Sequence, residues 1–186
     1  MADDKQTPVA RSALKAAKVD HGAVMDAWCV AARSRELKRG RMEGREYLGE
    51  PIVIGRTRAG AVYALRDVCP HRAAKLSAGK LRAEPGGAES LECPYHGWRF
   101  RTDGACARIP SVSADNPVDI SKIRVRTHAL VEAQGVVWIW LSSDPRFDGV
   151  PPEPPPVVPA AIGANAGRSF KNLVESMISR WRESRR

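Results

Sequence analysis

Two short stretches constrain this chain more than anything else in it: Cys69-Pro70-His71-Arg72 and Cys93-Pro94-Tyr95-His96-Gly97-Trp98. Each offers one thiol and one imidazole on a short loop. The segment 72–92 between them is long enough to set the two pairs on neighbouring loops that face a common centre. Two Cys and two His suit a [2Fe-2S] cluster, with two thiolates on one iron and two imidazoles on the other. They also suit a tetrahedral zinc ion. Zinc sites usually pair like ligands, C-x2-4-C and then H-x3-5-H. Here the pairs are mixed, C-x-H and then C-x2-H, which favours the iron–sulfur centre. A third reading, unrelated buried thiols and histidines, leaves two such Pro-containing pairs to coincidence. The candidate ligands are therefore Cys69, His71, Cys93 and His96.

Charge explains the mixed set. Two ferric irons and two sulfides leave a doubly positive core. Two thiolates neutralise it, whereas four would make it dianionic and harder to reduce. Histidine ligation raises the potential, by roughly hundreds of millivolts between the two cluster types. Pro70 and Pro94 fix φ and stiffen the loops. Gly97 lets the backbone approach closely, and Trp98 can lie over the site and exclude water.

The rest of the chain reads as short strands and turns. Trp28 to Ala32 opens the β pattern, and the basic stretch 33–45 reads as a surface loop with at most a helical turn. Residues 47–48 and 52–54 read as strands bridged by Gly49-Glu50-Pro51. Arg58-Ala59-Gly60 is a hairpin turn, and residues 62–65 return straight into Cys69. Pro85-Gly86-Gly87 reads as a loop tip. Residues 90–93 rise into the second ligand loop, 98–100 leave it, and Asp103-Gly104 turns. Residues 125–132 and 136–141 flank Gln134-Gly135 as a last hairpin. His128 on that hairpin is read as structural, and His21 as exposed. With no long amphipathic pattern, the fold class is all-β.

The stretches 67–79 and 91–100 resemble the Rieske domain of ring-hydroxylating oxygenase α subunits, in the branch that includes phthalate and vanillate oxygenases. The resemblance extends to residues 27–32, 104–110 and 135–140. It implies a Rieske-type antiparallel β-sandwich with two cluster-binding loops and a bound [2Fe-2S] cluster. Two positions depart from the family pattern: Ala73 stands where Gly is usual, and Lys75 where Pro is usual. Neither is a ligand, so they bear on loop shape. Respiratory Rieske proteins carry an extra Cys in each loop and a Ser near the cluster; here Ala74, Tyr95 and Trp98 stand at those places. Fewer hydrogen bonds to the sulfurs imply a lower potential.

Composition sets the context. The 186 residues, 43% hydrophobic, fit one domain with extensions. The expected division is an N-terminal extension at 1–24, the Rieske domain at 25–145, and a Pro-rich linker with a vestigial or truncated catalytic start at 146–186. The longest apolar run, 136–141, is too short to cross a membrane, and the N-terminus lacks the apolar centre of a secretory signal. Cys29 and Cys106 remain outside the ligand set and are read as free small residues rather than a disulfide. The expected location is cytoplasmic. The net charge of +9 fits a solvated Arg-rich surface or the docking of an acidic redox partner. Nucleic-acid binding is not expected, because aromatic residues do not interleave with the basic ones.

The resemblance also implies a larger catalytic domain with a mononuclear iron held by two His and one carboxylate. Its first helix has the pattern D-x2-H-x4-H after Glu-Asn. Glu175 matches the Glu, but Ser176, Ser179 and Arg182 stand where Asn, Asp and the first His are expected. No His follows His128, and a guanidinium has no lone pair to offer a metal. No catalytic residue is therefore assigned, and a truncated, frame-shifted or split subunit is expected. One function fits an oxygenase component, reduced by a flavin- or ferredoxin-type reductase and serving an iron on another catalytic-domain chain or on the next subunit of a homo-oligomer. The alternative is a freestanding Rieske-type ferredoxin. The prefix and the Pro-rich extension argue against it.

Overall fold

The computed structural model describes residues 26–113 and 118–144, together with Pro151 and Pro155. Most of the expected extension at 1–24 and linker at 146–186 lies outside those residues. Among the described residues, ten strands form three antiparallel sheets. The first sheet has the order β1-β10-β9: β1 is Ala27–Arg33, β9 is Leu130–Ala133 and β10 is Val136–Leu141. The second is the meander β2 (Arg41–Tyr47), β3 (Glu50–Arg56) and β4 (Val62–Arg66). The third runs β5 (Lys80–Ala83), β6 (Glu89–Glu92), β7 (Arg99–Arg101) and β8 (Cys106–Arg108). No helix among the described residues is long and apolar enough to cross a membrane.

Strand periodicity explains how the layers stack. Successive side chains on a strand face opposite ways, and β3 and β4 bury both faces. Ile52, Ile54 and Ala64 pack with Ala31, Ala32, Val137, Ile139 and Leu141 of the first sheet. Val53, Tyr63 and Leu65 point the other way, onto Leu91, Phe100 and Cys106 of the third sheet. The β2–β4 sheet is thus the middle layer, and the unbroken apolar run of β3 is what a two-sided burial demands. Cys69 and Cys93 belong to the core between the middle and third sheets.

The strand reading needs three corrections. The stretch 33–45 is not all loop, because β2 begins at Arg41. β2 is the edge of its sheet, so its ladder to β3 forms although Arg41, Glu43 and Glu46 face solvent. Charged side chains are usual on such edges and hide the apolar alternation. The β2–β3 connection is the pair Leu48-Gly49, both at positive φ (52° and 83°), as in a two-residue primed turn; of the expected bridge 49–51, Glu50 and Pro51 belong to β3. Finally, residues 125–132 are not one strand. Arg124 bridges Ala105, Thr127 bridges Leu65, and the chain reaches β10 only at Ala129, whose carbonyl accepts the Trp140 N–H, before the ladder of β9 begins at Leu130. This segment touches all three sheets in turn, so its apolar residues serve different layers. Strands β5 and β8 were not legible as strands in the sequence.

Candidate metal centre

The two loops are built alike. In the first, the Cys69 N–H donates to the Ala74 carbonyl (2.9 Å) and the Ala73 N–H donates back to the Cys69 carbonyl (2.8 Å). In the second, the Cys93 N–H donates to the Trp98 carbonyl (2.8 Å) and the Gly97 N–H returns to the Cys93 carbonyl (3.1 Å). Each loop therefore closes on its own cysteine. The residue four beyond that cysteine takes a left-handed conformation: Ala73 at φ 55° and Gly97 at φ 68°.

The predicted ligands meet in pairs: the two thiols lie together in the core between the middle and third sheets, and the two imidazoles lie against each other. The thiols are the inner pair, with Cys69 2% and Cys93 3% exposed. The imidazoles form the rim. His71 and His96 are both exposed, with ring centroids 4.7 Å apart and planes at 56°. Trp98 lies flat on His71, centroid to centroid 4.7 Å and within 3° of parallel. On the other side Tyr95, 57% exposed, sits 3.8 Å from the His96 ring.

Electrostatics follow the same division. Burial, with the Cys93 thiol alongside, pushes the Cys69 thiol up to about 11. A thiolate at Cys69 therefore needs a cation beside it. Desolvation, and then the neighbouring His96 and Arg72, lower the His71 imidazole below its ordinary value. That favours the neutral, lone-pair-bearing form that ligates metals.

The arrangement fits a binuclear centre. Two soft donors sit together inside and two imidazoles sit together outside, a sorting that would suit two irons with one pair each.

Other singled-out residues lie elsewhere. Cys29 and Cys106 are free and pack in different cores, Cys29 against the one between the first and middle sheets and Cys106 in the one between the middle and third sheets. His128 is buried under the β4 edge, where its backbone N–H donates to the Ala64 carbonyl. Its Nε2 has no hydrogen-bond partner and lies 3.9 Å from a Glu50 carboxylate oxygen. His21 is outside the described residues.

Sequence reasoning missed the polar supports of the loops. Asp67 accepts two hydrogen bonds from Ser77, and Glu92 pairs with Arg82 and Arg99 at the base of the second loop. One signal was available for the first of these. Gly44 interrupts an otherwise substituted strand, and a glycine there often marks a close approach.

Comparison with known proteins bears on the same residues. Residues 27–129 match the family model described as the Rieske [2Fe-2S] domain. The chain is 37% identical over 123 residues to the 3-chlorobenzoate-3,4-dioxygenase oxygenase subunit of Comamonas testosteroni, covering 66% of this chain and 27% of that protein. Among solved structures it resembles dicamba monooxygenase bound to dicamba (TM-score 0.55, 39% identity, 66% of this chain and 36% of the other). It also resembles the reduced complex between oxygenase and ferredoxin in carbazole 1,9a-dioxygenase (TM-score 0.53, 28% identity, 69% and 30%). The chain spans well under half the length of each of these proteins.

Proposed function

The chain belongs to the Rieske [2Fe-2S] domain family, and from that premise we propose that it is the electron-transfer part of an aromatic ring-hydroxylating or demethylating oxygenase. The observation that carries this reading is the sorting of donors: buried Cys69 and Cys93 within, exposed His71 and His96 at the rim. Cys69 and Cys93 would hold one iron, His71 and His96 the other. When bound, the [2Fe-2S] cluster supplies reversible one-electron storage.

The protein's own groups do the rest. The Cys-closed loops hold the four donors, and Trp98 keeps water from one face of His71. The exposed edges of His71 and His96 leave the imidazole side open to a redox partner. That partner would be a flavin- or ferredoxin-type reductase on the donor side. On the acceptor side it would be a mononuclear iron, held by another catalytic-domain chain or a neighbouring copy in a homo-oligomer. Residues 1–186 offer no matching pair of histidines for that second iron. A cytoplasmic setting, where thiols stay reduced, suits this chemistry.

The test is iron and acid-labile sulfide per chain on purified protein, followed by reduction with dithionite. Two irons, two sulfides and a one-electron reduction are expected. Zinc without sulfide would overturn the reading. A third iron would show a mononuclear site within these residues and make the chain an oxygenase in its own right.

A further inference from the structure

Between the two ligand loops lies a short 3-10 turn, Leu76–Ala78, closed by Gly79. It touches both loops. On one side Ser77 binds Asp67, the residue two before Cys69. The Ser77 N–H donates to Asp67 Oδ1 (2.7 Å) and its hydroxyl to Oδ2 (2.5 Å). Asp67 is 3% exposed, and its own N–H is spent on the Pro51 carbonyl of β3 (2.8 Å). On the other side Gly79 lies so close to Glu92, the residue before Cys93, that a Cβ would stand 1.9 Å from the Glu92 carbonyl oxygen. Leu76 is fully buried in the same core as the two ligand thiols.

A third element completes the contact. Gly44 on edge strand β2 sits against the Asp67–Ser77 pair. A Cβ there would stand 2.6 Å from Ser77 Oγ and 2.9 Å from Asp67 Oδ2. Gly44 has no positive φ, so its backbone does not require glycine. What requires it is the room for the carboxylate and hydroxyl. A buried carboxylate needs such partners, and polar groups behind the ligands orient them and tune the metal.

We propose that the turn 76–79 is the spacer that sets the gap between the two cluster loops, with Asp67, Ser77 and Gly44 as its positioning residues. The proposal rests on the ligand assignment above. It makes Gly44, on a strand that carries no ligand, part of the cluster site.

The test uses the holoprotein and four variants: Ser77→Ala, Gly44→Ala, Asp67→Asn and Cys69→Ala. The readouts are the rate of iron loss to a chelator, the EPR g-values of the reduced protein and the thermal midpoint. Ser77→Ala and Gly44→Ala should lose iron about tenfold faster and show shifted g-values. Asp67→Asn should stay close to the parent, since the Asn amide oxygen still accepts the Ser77 N–H and its NH2 donates to the hydroxyl. If Gly44→Ala does not fold, the smaller Ser77→Ala change carries the test. Parental release rates and g-values in Ser77→Ala, with no cluster in Cys69→Ala, would overturn the spacer role and leave the ligands standing. A full cluster in Cys69→Ala would overturn the ligand assignment, and the proposal with it.

Discussion

Ala73 and Gly97 hold equivalent places, each donating its N–H to the carbonyl of the ligand cysteine four residues earlier and each turning the chain through the left-handed region. Only one of them is glycine. Left-handed backbone is disfavoured for a residue with a Cβ by about 1 kcal/mol, so the first loop carries a strain that the second does not. Ala73→Gly should therefore stabilise the protein by about 0.5–1 kcal/mol. The measurement is urea unfolding of the two proteins side by side. The reverse change, Gly97→Ala, should destabilise, because it adds the same strain and sets a Cβ 3.2 Å from Pro110 Cγ.

The ligand set makes a sharper demand. Cys93→Ala or His96→Ala should abolish the cluster, seen as loss of visible absorbance and of acid-labile sulfide. Cys106→Ala should keep it, although Cys106 is buried in the same core as the ligand thiols. Loss of the cluster in the Cys106 variant would mean that the wrong thiols have been assigned.

Much of this site was legible because its chemistry is local. Each thiol and its imidazole are two or three residues apart, and the turn residues that shape the loops lie between or beside them. Strands β3, β4 and β10 were legible for a related reason: buried on both faces, they are continuous apolar runs. The supports were not. Ser77 reaches back ten residues to Asp67, and Gly44 meets both from a different strand. No spacing rule links such residues, because the contact exists only once the middle sheet has formed. Most of strand β2 was missed for want of apolar alternation, since Arg41, Glu43 and Glu46 face solvent.

Trp98 offers a test of shielding. Its indole stacks on His71 within 3° of parallel, and such ring pairs are worth about 1 kcal/mol beyond their burial. Trp98→Ala should speed iron loss to a chelator by roughly fivefold, the equivalent of that energy. Trp98→Phe should recover most of the difference. Equal rates in all three proteins would show that the stacked ring does not protect the site.

Arg56 should be costly to replace. Its Nε donates to the Leu37 carbonyl (2.9 Å), and its two terminal nitrogens reach the carbonyls of Gly60 and Ser34. The same nitrogens grip both oxygens of Glu132 at 2.8 and 2.7 Å. One guanidinium thus ties the middle sheet to the first. Hydrogen bonding to Glu132 is also the main reason the Arg56 pKa is raised and that of Glu132 is lowered by its partner. A lysine cannot reproduce the fork. Arg56→Lys should destabilise by about 2 kcal/mol, read as a lower urea midpoint with an unchanged slope.

His128 should make the fold acid-sensitive. Burial, and then the Arg126 charge, lower its pKa from 6.5 to about 4. Near it stand Glu50, Arg126 and Arg66, and the Trp140 backbone hydrogen-bonds to it. The folded protein therefore holds this imidazole neutral at pH values where the unfolded chain binds a proton. By linkage, this contribution to stability is complete above about pH 6.5, is lost as pH drops from there towards the folded value, by about 3 kcal/mol at pH 4, and levels off below it. Carboxylates titrate in the lower part of the same window, so the measurement is a difference. Unfolding free energies of the parent and of His128→Leu are compared from pH 7 to pH 4. The parent should lose more stability than the variant over that range. Parallel curves would mean that His128 is protonated in the native state or reaches solvent there.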